Sequence, residues 1–148
     1  FTTKHGSFNQ VVVSSELPYQ SKTVSVEVFP FDSFMEDAGS VPRLIKIDVE
    51  GFETEVLAGM NQTLTSSTLK SIIIELNGSG GRYGYDESLI HDKLIDFSFV
   101  PYSYDPFRRE LQPLQSYGAH NTIYIRDIQF VVQRIETALQ TTYFSEVF

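Results

Sequence analysis

The chain has 148 residues, 41% hydrophobic and 20% charged, which is enough apolar material for one core and argues against a disordered chain. Nineteen acidic residues against eleven basic ones leave a formal net charge of -8, which opposes long-range attraction to phosphate backbones and anionic lipid, so neither nucleic acid nor a membrane is expected as a partner. There is no cysteine, which excludes disulfides, thiolate metal sites and cysteine nucleophiles; with no charged-then-apolar leader and no apolar run near about 18 residues, a cytoplasmic location without a membrane span is the expectation.

Residues 1–23 are rich in Ser, Thr, Gln and Lys around the apolar triplet 11–13, and read as a loop with one short edge strand. Residues 24–28 alternate apolar and polar, which predicts a strand with one wetter face. Phe29, Pro30, Phe31 and Asp32 break that pattern, and Ser33 with Glu36 fits a capping box opening a short helix that stops by Gly39. Residues 44–47 are apolar except for Lys46 and form a predicted strand between Pro42 and Gly51. Phe52, Val56, Leu57 and Met60 then fall on one helical stripe, with Gly59 near its end. Residues 61–70 are mostly polar and read as a connection, whereas 72–76 are β-branched and nearly all apolar, as a strand covered on both faces should be. Strand, helix and strand make one right-handed parallel crossover.

A second unit follows. Asp86 caps a predicted helix carrying Leu89, Ile90, Leu94 and Phe97, and residues 99–104 form the next strand. Residues 105–120 show no helical period, and Pro106, Pro113 and Gly118 predict a long hairpin-like connection. Residues 122–126 then make a strand antiparallel to its neighbour. Asp127 caps a last helix with Val131, Ile135, Ala138 and Leu139 on one stripe, which packs on its own sheet. A homodimer through this helix, or through an open sheet edge, is the other use of its apolar surface and of Tyr143, Phe144 and Phe148. No repeat or boundary divides the chain, so residues 1–148 read as a single α/β domain.

Four carboxylates, Asp48, Glu50, Glu53 and Glu55, crowd one short stretch. Glu53 and Glu55 suit the first turn of a helix, where acids complement the dipole. Asp48 and Glu50 follow a strand end, where open α/β sheets bind ligands. If strands 44–47 and 72–76 pair, their spacing of about 4.8 Å brings Asp48 beside Glu75 and Asn77. Such oxygen donors suit a hard cation, or a hydroxyl to be deprotonated by a carboxylate; the ligands are too few for a typical cation site, and no metal is assigned. The plainer alternatives are that Glu75 accepts from backbone amides and Asn77 turns the chain. An antiparallel last strand would also bring His120 and Asn121 to this end, with His120 a candidate base near neutral pH. His5 and His91 have no ligand-like spacing, and His91 is expected on a helix surface. The glycine-rich run 77–84 misses the phosphate-loop patterns and reads as a mobile loop over the site. Tyr83, Tyr85, Tyr102 and Tyr104 either line an acceptor pocket or pack in the core.

The run LIKIDVEGFETEVLAGM at 44–60, followed by SIIIELN at 71–77, resembles the second half of an S-adenosylmethionine-dependent methyltransferase of the FkbM family. In that family a K-I-D-x-E-G-x-E-x-x-V-L-x-G block leads to an I-I-x-E strand. The resemblance spans about residues 24–128. It implies a partial doubly wound, class I methyltransferase-like, mostly parallel α/β sheet with a reversed last strand, and methyl transfer to a hydroxyl of a sugar or secondary metabolite as the small-molecule acceptor. By analogy, Asp48 or Glu50 positions the acceptor and Glu75 or His120 takes its proton, with Asn77, Tyr104 and Asn121 as substrate-binding residues. The family's glycine-rich cofactor turn has no match here, since Gly6 stands alone and follows no strand pattern. No cofactor-binding residue is therefore assigned, S-adenosylmethionine is expected in the complete enzyme, and the chain reads as the C-terminal, acceptor-side portion of a larger methyltransferase domain, inactive by itself. The reading from another class is a non-catalytic α/β binding or assembly module that kept the sheet and lost the cofactor half.

Overall fold

Branched and aromatic residues dominate the five segments that pair into one sheet in the computed structural model, which describes residues 11–12, 24–118, 120–139, 142–143 and 146–147. These are β1 (Leu44–Ile47), β2 (Ser71–Glu75), β3 (Val100–Asp105), β4 (Glu110–Pro113) and β5 (Asn121–Ile125), in the order β1-β2-β5-β3-β4. β1 and β2 pair in parallel, as the crossover predicts, and the other three pairings are antiparallel. The expectation of a mostly parallel sheet is thus corrected. β2 and β3 point the same way, but the returning β5 takes the place between them, and β3 folds back onto β4 as a hairpin inside the long connection. The reversed strand at 122–126 is observed as β5.

The sheet has one closed face and one open one. Ile47, Ile72, Ile74, Phe99 and Tyr124 are at most 2% exposed on the closed face. Leu57 and Met60 in and beside α2 (Glu53–Ala58), Leu64 of α3 (Asn61–Thr65), and Ile90 and Leu94 of α4 (Ser88–Asp96) complete the core there. On the opposite face Leu44, Val100 and Tyr104 are exposed. α5 (Ile128–Thr137) stands over the beginning of this face across a cavity of about 620 Å³, lined by Arg43, Leu44, Ser71, Tyr104, Phe130 and Ile135 among others. Asp127 caps α5 as expected, accepting from the Phe130 N–H at 3.0 Å.

Three local expectations change. Residues 24–28 form no ladder, and Val24, Val26 and Val28 are exposed: their alternation has no neighbouring strand among the described residues to bond with. The early helix, α1 (Phe31–Ala38), begins before Ser33 and lacks a side-chain cap, although it ends at Gly39 with φ 68° as expected. Asp32 instead caps α3 from a distance, accepting from Gln62 N–H and Thr63 N–H at 2.8 Å and from Thr63 Oγ1 at 2.7 Å. That remote cap explains why the polar stretch 61–70 contains a helix and buries Leu64 and Leu69. The chain also forms a small hairpin of β6 (Thr142–Tyr143) with β7 (Glu146–Val147). The expected strand at 11–13 runs past the described residues at Val13, and His5, Gly6, Phe144 and Phe148 lie outside them.

Candidate functional site

Parallel pairing in the register Ile47↔Ile74 carries Asp48 out of β1 level with Glu75 at the end of β2. Glu75 faces Asn121 across the antiparallel ladder, and Leu76 N–H reaches the His120 carbonyl at 3.4 Å. Asp48, Glu50, Glu75, His120 and Asn121 therefore share one rim of the sheet, the finishing end of β1 and β2. Carboxylate oxygens of Asp48, Glu50 and Glu75 lie within 4.8 Å of one another. A single cation there would touch all three, yet hard cations take roughly six to eight oxygens, and no metal is assigned.

Like charges this close raise the cost of ionising all three. Burial, followed by the negative charges of Asp48 and Glu50 and a hydrogen bond with Asp48, pushes the Glu75 carboxyl above its usual range, and His120 pulls it the other way. A hydrogen bond joins the Glu75 and Asp48 carboxyl groups at this partly exposed rim. Lys46 Nζ sits 2.5 Å from Asp48 Oδ2 and offsets part of the charge. Such a pair can orient a hydroxyl and accept its proton.

The loops that carry these acids are held from below. Glu50 has φ 56° and Gly51 φ 101°, so the chain turns sharply after β1. Glu53 stands in the first turn of α2 as expected, yet is only 2% exposed: its Oε1 accepts from Val49 N–H and Gly51 N–H, both at 3.2 Å. Glu55 is exposed and accepts from the Tyr85 hydroxyl at 2.8 Å. The glycine-rich loop after β2 is tied rather than loose. It winds into a 3-10 turn at Ser79–Tyr83, and buried Glu87 accepts from Gly78 N–H at 2.9 Å and Gly80 N–H at 3.1 Å. The two loops meet at Gly51, where an added Cβ would lie 2.5 Å from the Ser79 carbonyl oxygen.

Other candidates take different places. Asn77 turns the chain, its Oδ1 accepting from Ser79 N–H at 3.0 Å. Tyr104 lines the cavity under α5 with Arg43 and Ser71, on the face of the sheet that its alternation along β3 shares with Ser71. Tyr83 and Tyr85 stack edgewise on Phe52, with ring centroids 5.5 and 6.4 Å away, just past the Gly51 turn. His91 is half-buried, not a surface residue, and its Nδ1 lies 2.8 Å from the buried Tyr124 hydroxyl. Glu53 and Glu87 are the residues that sequence reasoning missed. A glutamate two positions after a turning glycine was the available signal for Glu53; nothing in the sequence marks Glu87.

A methyl donor needs a cradle, and the glycine turns of the described residues have little to offer one. The amides of Gly78 and Gly80 are taken by Glu87, that of Ser79 by Asn77, that of Gly81 by the Gly78 carbonyl, and that of Gly51 by Glu53. No helix of the described residues is long and apolar enough to cross a membrane. The methyltransferase FkbM domain matches residues 2–118, the greater part of the chain. No curated protein and no solved structure matches it.

Proposed function

The chain belongs to the methyltransferase FkbM domain family, and from that premise we propose that it supplies the acceptor side of an S-adenosylmethionine-dependent O-methyltransferase acting on a hydroxyl of a sugar or secondary metabolite. The observation that carries this reading is the meeting of Asp48, Glu50 and Glu75 at the finishing end of two parallel strands. Asp48 or Glu50 orients the acceptor hydroxyl. Its proton passes to a carboxylate oxygen of the Asp48–Glu75 pair or to His120, whose charge acts on Glu75. A carboxyl held above its usual range is a better proton acceptor once ionised, so crowding and burial raise basicity where the acceptor sits. Asn121, opposite Glu75 in the ladder, adds an amide at the same rim. The donor's own contacts lie outside the described glycine turns, whose amides are occupied.

Isothermal titration tests this. The 148-residue chain should bind S-adenosylmethionine weakly or not at all, while a longer product of the same gene should bind it and methylate a hydroxyl acceptor. A longer product that also fails to bind overturns the reading. The occupied amides and the open sheet face also favour a second reading, a non-catalytic module that keeps the sheet to bind a partner. A longer product that folds, binds no cofactor and sediments as a stable assembly would support it.

A further inference from the structure

A non-glycine residue in the left-handed region is strained, and it persists only where its surroundings over-determine it. Glu50 is such a residue, at φ 56°. The group that holds it is three positions on. Glu53 Oε1 accepts from the N–H groups of Val49 and Gly51, which flank Glu50 on either side. The Glu53 side chain is 2% exposed, and its second oxygen, Oε2, has no partner. Burying a carboxylate and leaving half of it unsatisfied is unfavourable in itself. The arrangement is therefore poor for Glu53 and good for the turn.

We propose that Glu53 is a positioning residue: by gripping the two amides around Glu50 it keeps the Glu50 carboxylate in the set formed with Asp48 and Glu75. Glu53 itself touches neither acceptor nor reacting proton. The role of the grip in catalysis rests on the methyl transfer proposed above, whereas the grip itself does not. Gly51 completes the device, since its bare Cα lets the turn lie against the Ser79 carbonyl. The charges that act on Glu75 are those of Asp48, Glu50 and His120, so the titration of Glu75 reports whether Glu50 is still in place.

Two substitutions separate reach from charge. Glu53→Asp keeps the charge but is one methylene too short to span both amides. Glu53→Gln keeps the reach, loses the charge, and puts its NH2 where no partner is lost. The experiment is a carbon-13 titration of the Glu75 carboxyl in the full 148-residue chain, with amide hydrogen exchange at Gly51. In Glu53→Asp the Glu75 midpoint should move back toward the ordinary glutamate value and the Gly51 amide should exchange at least about tenfold faster. In Glu53→Gln both should stay with the unaltered protein. A Glu53→Asp chain with an unchanged midpoint, or a Glu53→Gln chain shifted as far as the Asp variant, overturns the proposal. If circular dichroism shows Glu53→Asp unfolded, Glu53→Gln decides alone: a retained midpoint with a protected amide supports the grip, and loss of either refutes it. None of these readouts involves methyl transfer, so failure of cofactor binding in the longer product would sink the proposed function and leave this result standing.

Discussion

At the starting ends of β1 and β2, Arg126 and Lys70 are tied to carbonyls and to a carboxylate. Arg126 donates from Nε to the Phe97 carbonyl at 3.0 Å, from Nη1 to the Ser66 carbonyl at 2.7 Å and from Nη2 to the Leu64 carbonyl, while its guanidinium lies 4.1 Å from the centre of the Phe99 ring. Beside it Lys70 pairs with Asp127 at 2.9 Å. At the finishing ends of the same strands, Asp48, Glu50 and Glu75 crowd together with Lys46 paired to Asp48, and the carboxylates that do bind backbone, Glu53 and Glu87, hold the adjoining loops. One end uses charge to close the carbonyls of helix and loop termini. The other spends stability to keep charge available. Ligands of open α/β sheets gather at the finishing ends of strands, and the poorly matched end is the one we propose for the acceptor.

That contrast can be broken at three places, in falling order of effect. Arg126→Ala strips partners from the Leu64, Ser66 and Phe97 carbonyls and should lower stability by roughly 3 kcal/mol in urea unfolding. A loss below about 1 kcal/mol would mean that the matched end is not structural after all. Gly51→Ala places a Cβ 2.5 Å from the Ser79 oxygen at φ 101°, and should cost about 2 kcal/mol while freeing the Glu50 turn. Here a silent substitution, in both urea unfolding and Glu75 titration, would show that the two loops are not seated on each other. Glu75→Gln should have the smallest effect, and of opposite sign.

The sign for Glu75 follows from linkage. Its folded-state value is raised, so the folded protein holds the proton more tightly than the unfolded chain, and stability falls as pH climbs from the ordinary 4.5 through the folded value. Glu75→Gln removes that decline. Relative to the unaltered protein, the variant should show no gain below the ordinary glutamate value and a growing gain above it, read as the urea midpoint at a series of pH values. The groups facing Glu75 are Asp48, Glu50 and His120, with Lys46 reaching it only through Asp48. A gain that is constant with pH would assign the effect to packing and not to crowded charge.

The acid rim was legible because it depends on local chain order: an apolar run, Asp48, a turning glycine, then a second apolar run ending at Glu75. Parallel pairing between those runs was enough to bring the acids together. His120 and Asn121 were legible for the same reason, through the direction of one strand. What could not be read was long-range. The position of β5 between β2 and β3 is a choice among sheet orders that leaves no local mark, and it turned a mostly parallel expectation into a mixed sheet. The cap that Asp32 provides to α3 crosses thirty residues and made a helix of a stretch that looks like a linker. The cavity that Tyr104 lines under α5 was not legible either, since it depends on where the last helix returns over the sheet.

The bare Cα at Gly51 has one more consequence. Resting against the Ser79 carbonyl, it joins the tip that follows β1 to the tip that follows β2, although each is anchored by a different glutamate. A shift of the glycine loop toward the turn bearing Glu50 is therefore met by contact at Gly51, and so is a shift in the other direction. The two tips meet as the halves of a single latch, so a substitution that crowds one displaces the other.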